Sequence, residues 1–196
     1  MNDYTTTTIH QFHDNCCTSN EAINYVGLYP RNKYNSILTC PNNTETWVQF
    51  FIPEIIDIPA QKPNMEEVLS VQSSVQVISQ RVIKTPTVTG YTNAAGVVIP
   101  GDEVDNAEGT RLTGRKLIIE GLLHQKVIYT ADVPQQSVHS AHFSFPFSVF
   151  IVVAGDTPLI QNFDVTAAIE DIYVCQLSAR SLFKNTTIFI KAHNQC

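Results

Sequence analysis

Charge is scarce in this chain. Asp, Glu, Lys and Arg make up 15% of its 196 residues, well below the rough quarter of an ordinary soluble domain. The net charge is −6, and no basic stripe or polybasic segment is present. That excludes recognition of a nucleic-acid backbone and an electrostatic hold on an anionic membrane. No run of about 18 apolar residues occurs, so no transmembrane helix is expected. The N-terminus, MNDYTTTTIHQFHDN, has neither an early positive cluster nor an apolar stretch. It does not read as a secretory signal, and synthesis in the cytosol is the expectation. Gly-x-Ser-x-Gly, phosphate-loop and dinucleotide fingerprints are all missing. No catalytic residue, cofactor or enzymatic activity is therefore expected.

What is present is a Thr/Ser/Asn/Gln-rich chain that is 43% hydrophobic, enough for one sizeable core. Residues 1–20 are polar, carry Thr5 to Thr8 in a row and show no hydrophobic period. They read as a flexible arm. Residues 21–46 form an irregular lead-in with Pro30 and Pro41. The folded body is expected over 47–193, with a C-terminal tail at 194–196.

Alternation identifies the strands. In 139–153 the odd positions Ala141, Phe143, Phe145, Phe147, Val149, Ile151 and Val153 are apolar, and Ser140, His142, Ser144 and Ser148 lie between them. Pro146 falls on the wet side and marks an edge or a bulge, since it cannot donate to a ladder. Residues 115–130 place Leu117, Ile119, Leu123, Val127 and Tyr129 on one side, and 71–83 place Val71, Val75 and Val77 in step. Further strands are expected at 47–58, 163–177 and 186–192. In 163–177 Asp171 interrupts the pattern of Val165, Ala167 and Ile169, and a bulge there restores it through Ile172 and Val174. One short helix is expected near 62–69, with Asn64 as N-cap and Glu67 three residues on. Glycine-rich 90–114 reads as a long loop or an inserted hairpin. The fold class is all-β: an antiparallel, sandwich-like body with one short helix and a flexible N-terminal arm.

The five cysteines are the most suggestive side chains. Cys16 and Cys17 sit in the arm, Cys196 lies at the C-terminal end, Cys40 precedes Pro41, and Cys175 lies in a strand. An odd number cannot all pair within one chain. Adjacent cysteines are poorly suited to bonding each other and better suited to reaching two partners. Cys16, Cys17 and Cys196 are therefore candidates for intersubunit disulfides, with Cys40 and Cys175 as acceptors. Cys175 reads equally well as a buried small hydrophobe. Because the cytosol is reducing, such bonds form after assembly or cell lysis.

The remaining candidates carry less. His10, His13, Cys16 and Cys17 are soft ligands, yet neighbouring cysteines seldom share one ion and no second knuckle exists, so no metal is expected. His139 and His142 are three apart in a strand and face opposite sides; His124 and His193 stand alone. Asp102, Glu103, Asp105 and Glu108 read as a solvated loop, without the ligand order of a calcium loop.

A resemblance enters at 115–153, RKLIIEGLLHQKVIYTADVPQQSVHSAHFSFPFSVFIVV. Its Ile-Glu-Gly, Val-Ile-Tyr-Thr-Ala-Asp, Gln-Ser-Val-His-Ser-Ala and Phe-Pro-Phe strings resemble the SPOCS domain of endospore-forming bacteria. Residues 60–84 look like that family's Lys-Pro-x-hydrophobic-Glu-Glu-hydrophobic-Leu lead-in and long strand, and 163–192 fit its last two strands. The resemblance implies a β-rich, non-enzymatic module for protein–protein contacts in spore-envelope proteins. It departs from the family's pattern in carrying one module, no recognisable wall-binding repeat, and a cysteine-bearing arm. Cys16-Cys17 with a terminal cysteine also resembles the connector of spore-appendage pilins. The expectation is a spore-surface protein, of the coat, exosporium or an appendage, that polymerises head-to-tail with itself and is locked by disulfides. Other spore-coat proteins are further candidate partners. The alternative is a non-polymerising adaptor in spore-coat morphogenesis.

Overall fold

A computed structural model describes residues 23–30, 46–86, 91–99 and 112–194. The described chain is all strand and loop. In chain order the strands are β1 (Asn24–Val26), β2 (Thr46–Asp57), β3 (Met65–Lys84), β4 (Tyr91–Thr92), β5 (Val98–Ile99), β6 (Arg115–Ala131), β7 (Val138–Val152), β8 (Phe163–Gln176) and β9 (Ser181–Asn194). Two sheets face each other, one ordered β1-β3-β6-β7 and the other β2-β9-β8. Every pairing in them is antiparallel except β1 with β3. No described helix is long and apolar enough to cross a membrane.

The core follows from alternation. Leu117, Ile119, Leu123, Val127 and Tyr129 on β6 are fully buried, and so are Leu182, Ile188 and Ile190 on β9. Ile56, Met65, Val71, Ala141 and Ile151 complete the interface between the sheets. Each such aliphatic side chain contributes about 1.5–3 kcal/mol on leaving water. Pro146 lies on β7, at the edge of its sheet, where a residue without an N–H is tolerated. The bulge expected at Asp171 is present as a register shift between Ile169 and Asp171.

The short helix expected near 62–69 is not there: Met65–Leu69 opens β3. Register shifts between Met65 and Glu67, and between Val68 and Ser70, insert two bulges. They bring Met65, Val68 and Val71 onto the core side at a three-residue spacing that mimics a helical period. Asn64 caps no helix. Its side-chain oxygen accepts a bond from Arg180 at 2.9 Å, and Arg180 also reaches the carbonyls of Ile58 and Pro59, both at 2.8 Å.

Part of the glycine-rich segment is a small hairpin. β4 and β5 pair across a turn where Gly96 has φ 78° and the Asn93 side chain accepts from Ala95 and Val97 N–H at 3.0 Å. The acidic residues Asp102, Glu103, Asp105 and Glu108 lie outside the described residues.

Candidate functional site

The sandwich has two seams, and they differ. At one, β1 adds in parallel to β3, pairing Tyr25 with Val71. The chain then crosses to the other sheet, where Leu28 bridges Ile169 and Tyr29 N–H donates to the Ile169 carbonyl at 2.8 Å. Gly27 makes the crossing possible. Its φ is 106°, and a Cβ there would collide with the Ser73 carbonyl. At the other seam β2 and β7 are the sheet edges. Among the described residues neither has a strand on its outer side. Between them runs a groove of about 380 Å³ lined by Trp47, Val48 and Ser148 to Val152. The Phe50 and Phe147 rings, 5.4 Å apart, cross this seam deeper in.

The outer side of the three-stranded sheet is unusually apolar. Phe51 and Ile55 on β2 are each 67% exposed, and Trp47 and Tyr173 are about half exposed. Trp47 stacks on Phe189 at 5.7 Å, and Tyr173 meets Phe183 edge-on at 6.1 Å. Aromatic groups in such number on a solvated strand suit contact with another macromolecule.

Cys175 belongs to this outer side. It is the register partner of Phe183, whereas its neighbour Val174 pairs with Lys184, which points inward. Cys175 is buried but is not a member of the core between the sheets. It is disulfide-bonded, with the other cysteine outside the described residues. A bond from Cys175 to one of the other four leaves three, again an odd number. Cys16, Cys17, Cys40 and Cys196 all lie outside the described residues, as do His10 and His13.

The histidines separate as alternation requires. His139 stacks beside Tyr129 at 6.0 Å, and His142 lies on the opposite side of β7, across from Lys126. His124 does not stand alone. It bridges Ser144 Oγ at 2.9 Å and Gln76 Oε1 at 3.0 Å, and so ties β3, β6 and β7 together on the wet side. Among the described residues no three His, Cys, Asp or Glu side chains are grouped to hold a metal.

One buried polar cluster is barely visible in the sequence. Lys184 on β9 is fully buried, beside Glu54 of β2 and Gln125 of β6. Glu54 Oε2 accepts from Gln125 Nε2 at 2.7 Å and lies 3.7 Å from Lys184 Nζ, which also donates to Thr186. Burial pulls the Lys184 ammonium down to about 8 despite the opposing pull of Glu54. Burial also raises the Glu54 carboxyl, against the Gln125 N–H and Lys184. The only signal in the sequence is position: Glu54 sits in phase with the inward residues Ile52 and Ile56.

The strings that carried the family resemblance now have a physical meaning. Gly121 of Ile-Glu-Gly is the register partner of Phe147 of Phe-Pro-Phe, and the Phe147 ring occupies the space a Gly121 side chain would fill. No curated protein and no solved structure matches this chain. The profile described as "SipL, SPOCS domain" matches residues 64–177, more than half of the chain and the whole of β3 through β8. This chain belongs to the SPOCS-domain family.

Proposed function

We propose that this chain is a non-enzymatic structural subunit of the spore surface that assembles with copies of itself into a disulfide-linked polymer. Family membership gives the sporulation-related part of this reading. The observation that carries the rest is the difference between the two seams: one is closed by the chain's own Tyr25 to Tyr29, and the other has two strand edges, unpartnered among the described residues, over an apolar groove. An exposed edge is a template for strand addition from another molecule. A head-to-tail contact that does not close on itself yields a fibre. In this reading the arm, residues 1–20, docks on a preceding subunit. The three cysteines that the Cys175 bond leaves over, among Cys16, Cys17, Cys40 and Cys196, then link the subunits. The bonds form once the assembly has left the reducing cytosol.

A second reading has support from the Cys175 disulfide. If the cysteines serve the fold of a single chain, the apolar outer side docks one partner and the protein is a non-polymerising adaptor in coat morphogenesis. Deleting residues 1–20 separates the two. The polymer reading expects a folded, monomeric protein that no longer forms filaments. Filaments of normal length from that truncation exclude it.

A further inference from the structure

We propose that Lys184 and Gln125 become joined by an intramolecular isopeptide bond, with Glu54 as the proton carrier, so that the two sheets of the sandwich are covalently tied. Gln125 belongs to the four-stranded sheet, and Lys184 and Glu54 to the three-stranded one. All three are buried. A single carboxylate oxygen, Glu54 Oε2, faces both the amine and the amide, at 3.7 Å and 2.7 Å. Meanwhile Glu54 Oε1 and Gln125 Oε1 are buried with no hydrogen-bond partner.

As a device for stability alone this cluster is costly. Two ionisable groups and an amide leave water, and two oxygens find no donor. As a reaction centre it has the three parts an amide exchange needs: a nucleophile, an acyl group and a proton carrier, in a place without water to compete. Burial favours the neutral amine of Lys184 and the neutral acid of Glu54, the forms that attack and that donate.

Lys184 passes a proton to Glu54, and its free amine attacks Gln125 Cδ. The carbonyl oxygen, unpartnered until then, takes the developing negative charge. The Nζ–Cδ bond forms. Glu54 gives its proton to the departing Nε2, the Cδ–Nε2 bond breaks, and the Glu54 carboxylate then takes the second proton from Nζ and hands it to the leaving ammonia, which departs as ammonium. One ammonium enters as Lys184 and one leaves as the free ion, and nothing is oxidised or reduced. The product leaves no charge on Lys184.

The test is the mass of the purified full-length chain, reduced and denatured. The expected value is below the sequence mass by one ammonia. Trypsin then yields a branched peptide joining residues 117–126 to 181–191, because Lys184 no longer offers a cleavage site. Lys184→Met and Gln125→Leu each restore the full sequence mass, and Glu54→Gln, which keeps both ends, leaves them unjoined. The wild-type spectrum decides even if a variant fails to fold. The full sequence mass with ordinary cleavage after Lys184 overturns the proposal. So does loss of water with a link to Glu54, or an ammonia deficit located away from Gln125.

Discussion

Phe147 and Gly121 face each other across the β6–β7 ladder, and each explains the other. The ring needs an empty position opposite, and the glycine supplies it at the centre of a long strand. From there the ring reaches Phe50 on the other sheet, 5.4 Å away. Gly121→Ala puts a methyl against both the ring and the Gln76 carbonyl, 2.7 Å from the new carbon. The expected loss is about 1–3 kcal/mol, as for an overpacked core. Urea unfolding measures it, and an unchanged midpoint removes this explanation of the motif.

Gly27→Ala tests the closed seam. Its positive φ and the adjacent Ser73 carbonyl leave no room for a side chain. The crossing from β1 to Ile169 should detach, at a cost of about 1–3 kcal/mol. Hydrogen exchange should show lost protection at Tyr29 N–H and retained protection in β6. Native protection at Tyr29 in the variant contradicts the assignment.

The exposed side of β2 predicts the opposite pattern. Phe51→Lys together with Ile55→Lys should change folding stability by no more than about 0.5 kcal/mol per site, because both side chains are largely in water. The charges should slow assembly, as lysine does at an exposed sheet surface. Sedimentation of wild type against variant reads this out. Equal assembly rates mean that this surface is not the contact.

Lys184 makes stability depend on pH. In Gln125→Leu the amine has no acyl partner and titrates. Its folded pKa is lowered to about 8 by burial, below an unfolded value of about 10.4. Between the two, the unfolded chain binds more protons, so stability rises as pH climbs through that window and falls on returning toward 8. The urea midpoint at about pH 9.5 should exceed that at about pH 7.5, and Lys184→Met in the same background should abolish the difference. Tyr25 and Tyr129, raised by burial, reverse the trend at higher pH. A flat profile in Gln125→Leu contradicts the burial of Lys184.

Much of this fold is legible in the residues, and the parts that are not have local causes. β7 alternates cleanly and β6 less so, with Gly121 and Gln125 at inward positions, yet the extents of both read almost directly, and the Asp171 bulge shows as a polar residue out of phase. The start of β3 misleads because bulges at Glu66 and Leu69 convert a two-residue period into three. β9 begins at Ser181 and not at 186 because Lys184 and Thr186, both polar, occupy inward positions. β1 is three residues long, too short to show any period, and its role depends on partners distant in sequence. Cys175 could be assigned to a strand but not to a side of it, since that depends on the bulge two turns of the pleat earlier.

The cysteines make the remaining prediction. Cys16→Ser with Cys17→Ser should remove covalent linkage between subunits while leaving the body folded. Cys196→Ser alone should shorten the linked species. Unaltered linkage in the double variant assigns the bonds elsewhere.

The central claim is most directly tested on boiled, purified protein run on denaturing gels without and with reductant. Covalent self-assembly predicts a ladder or gel-top material that collapses with reductant to a single band at 21.8 kDa. A single monomer band in both lanes, from material first exposed to an oxidant, contradicts it.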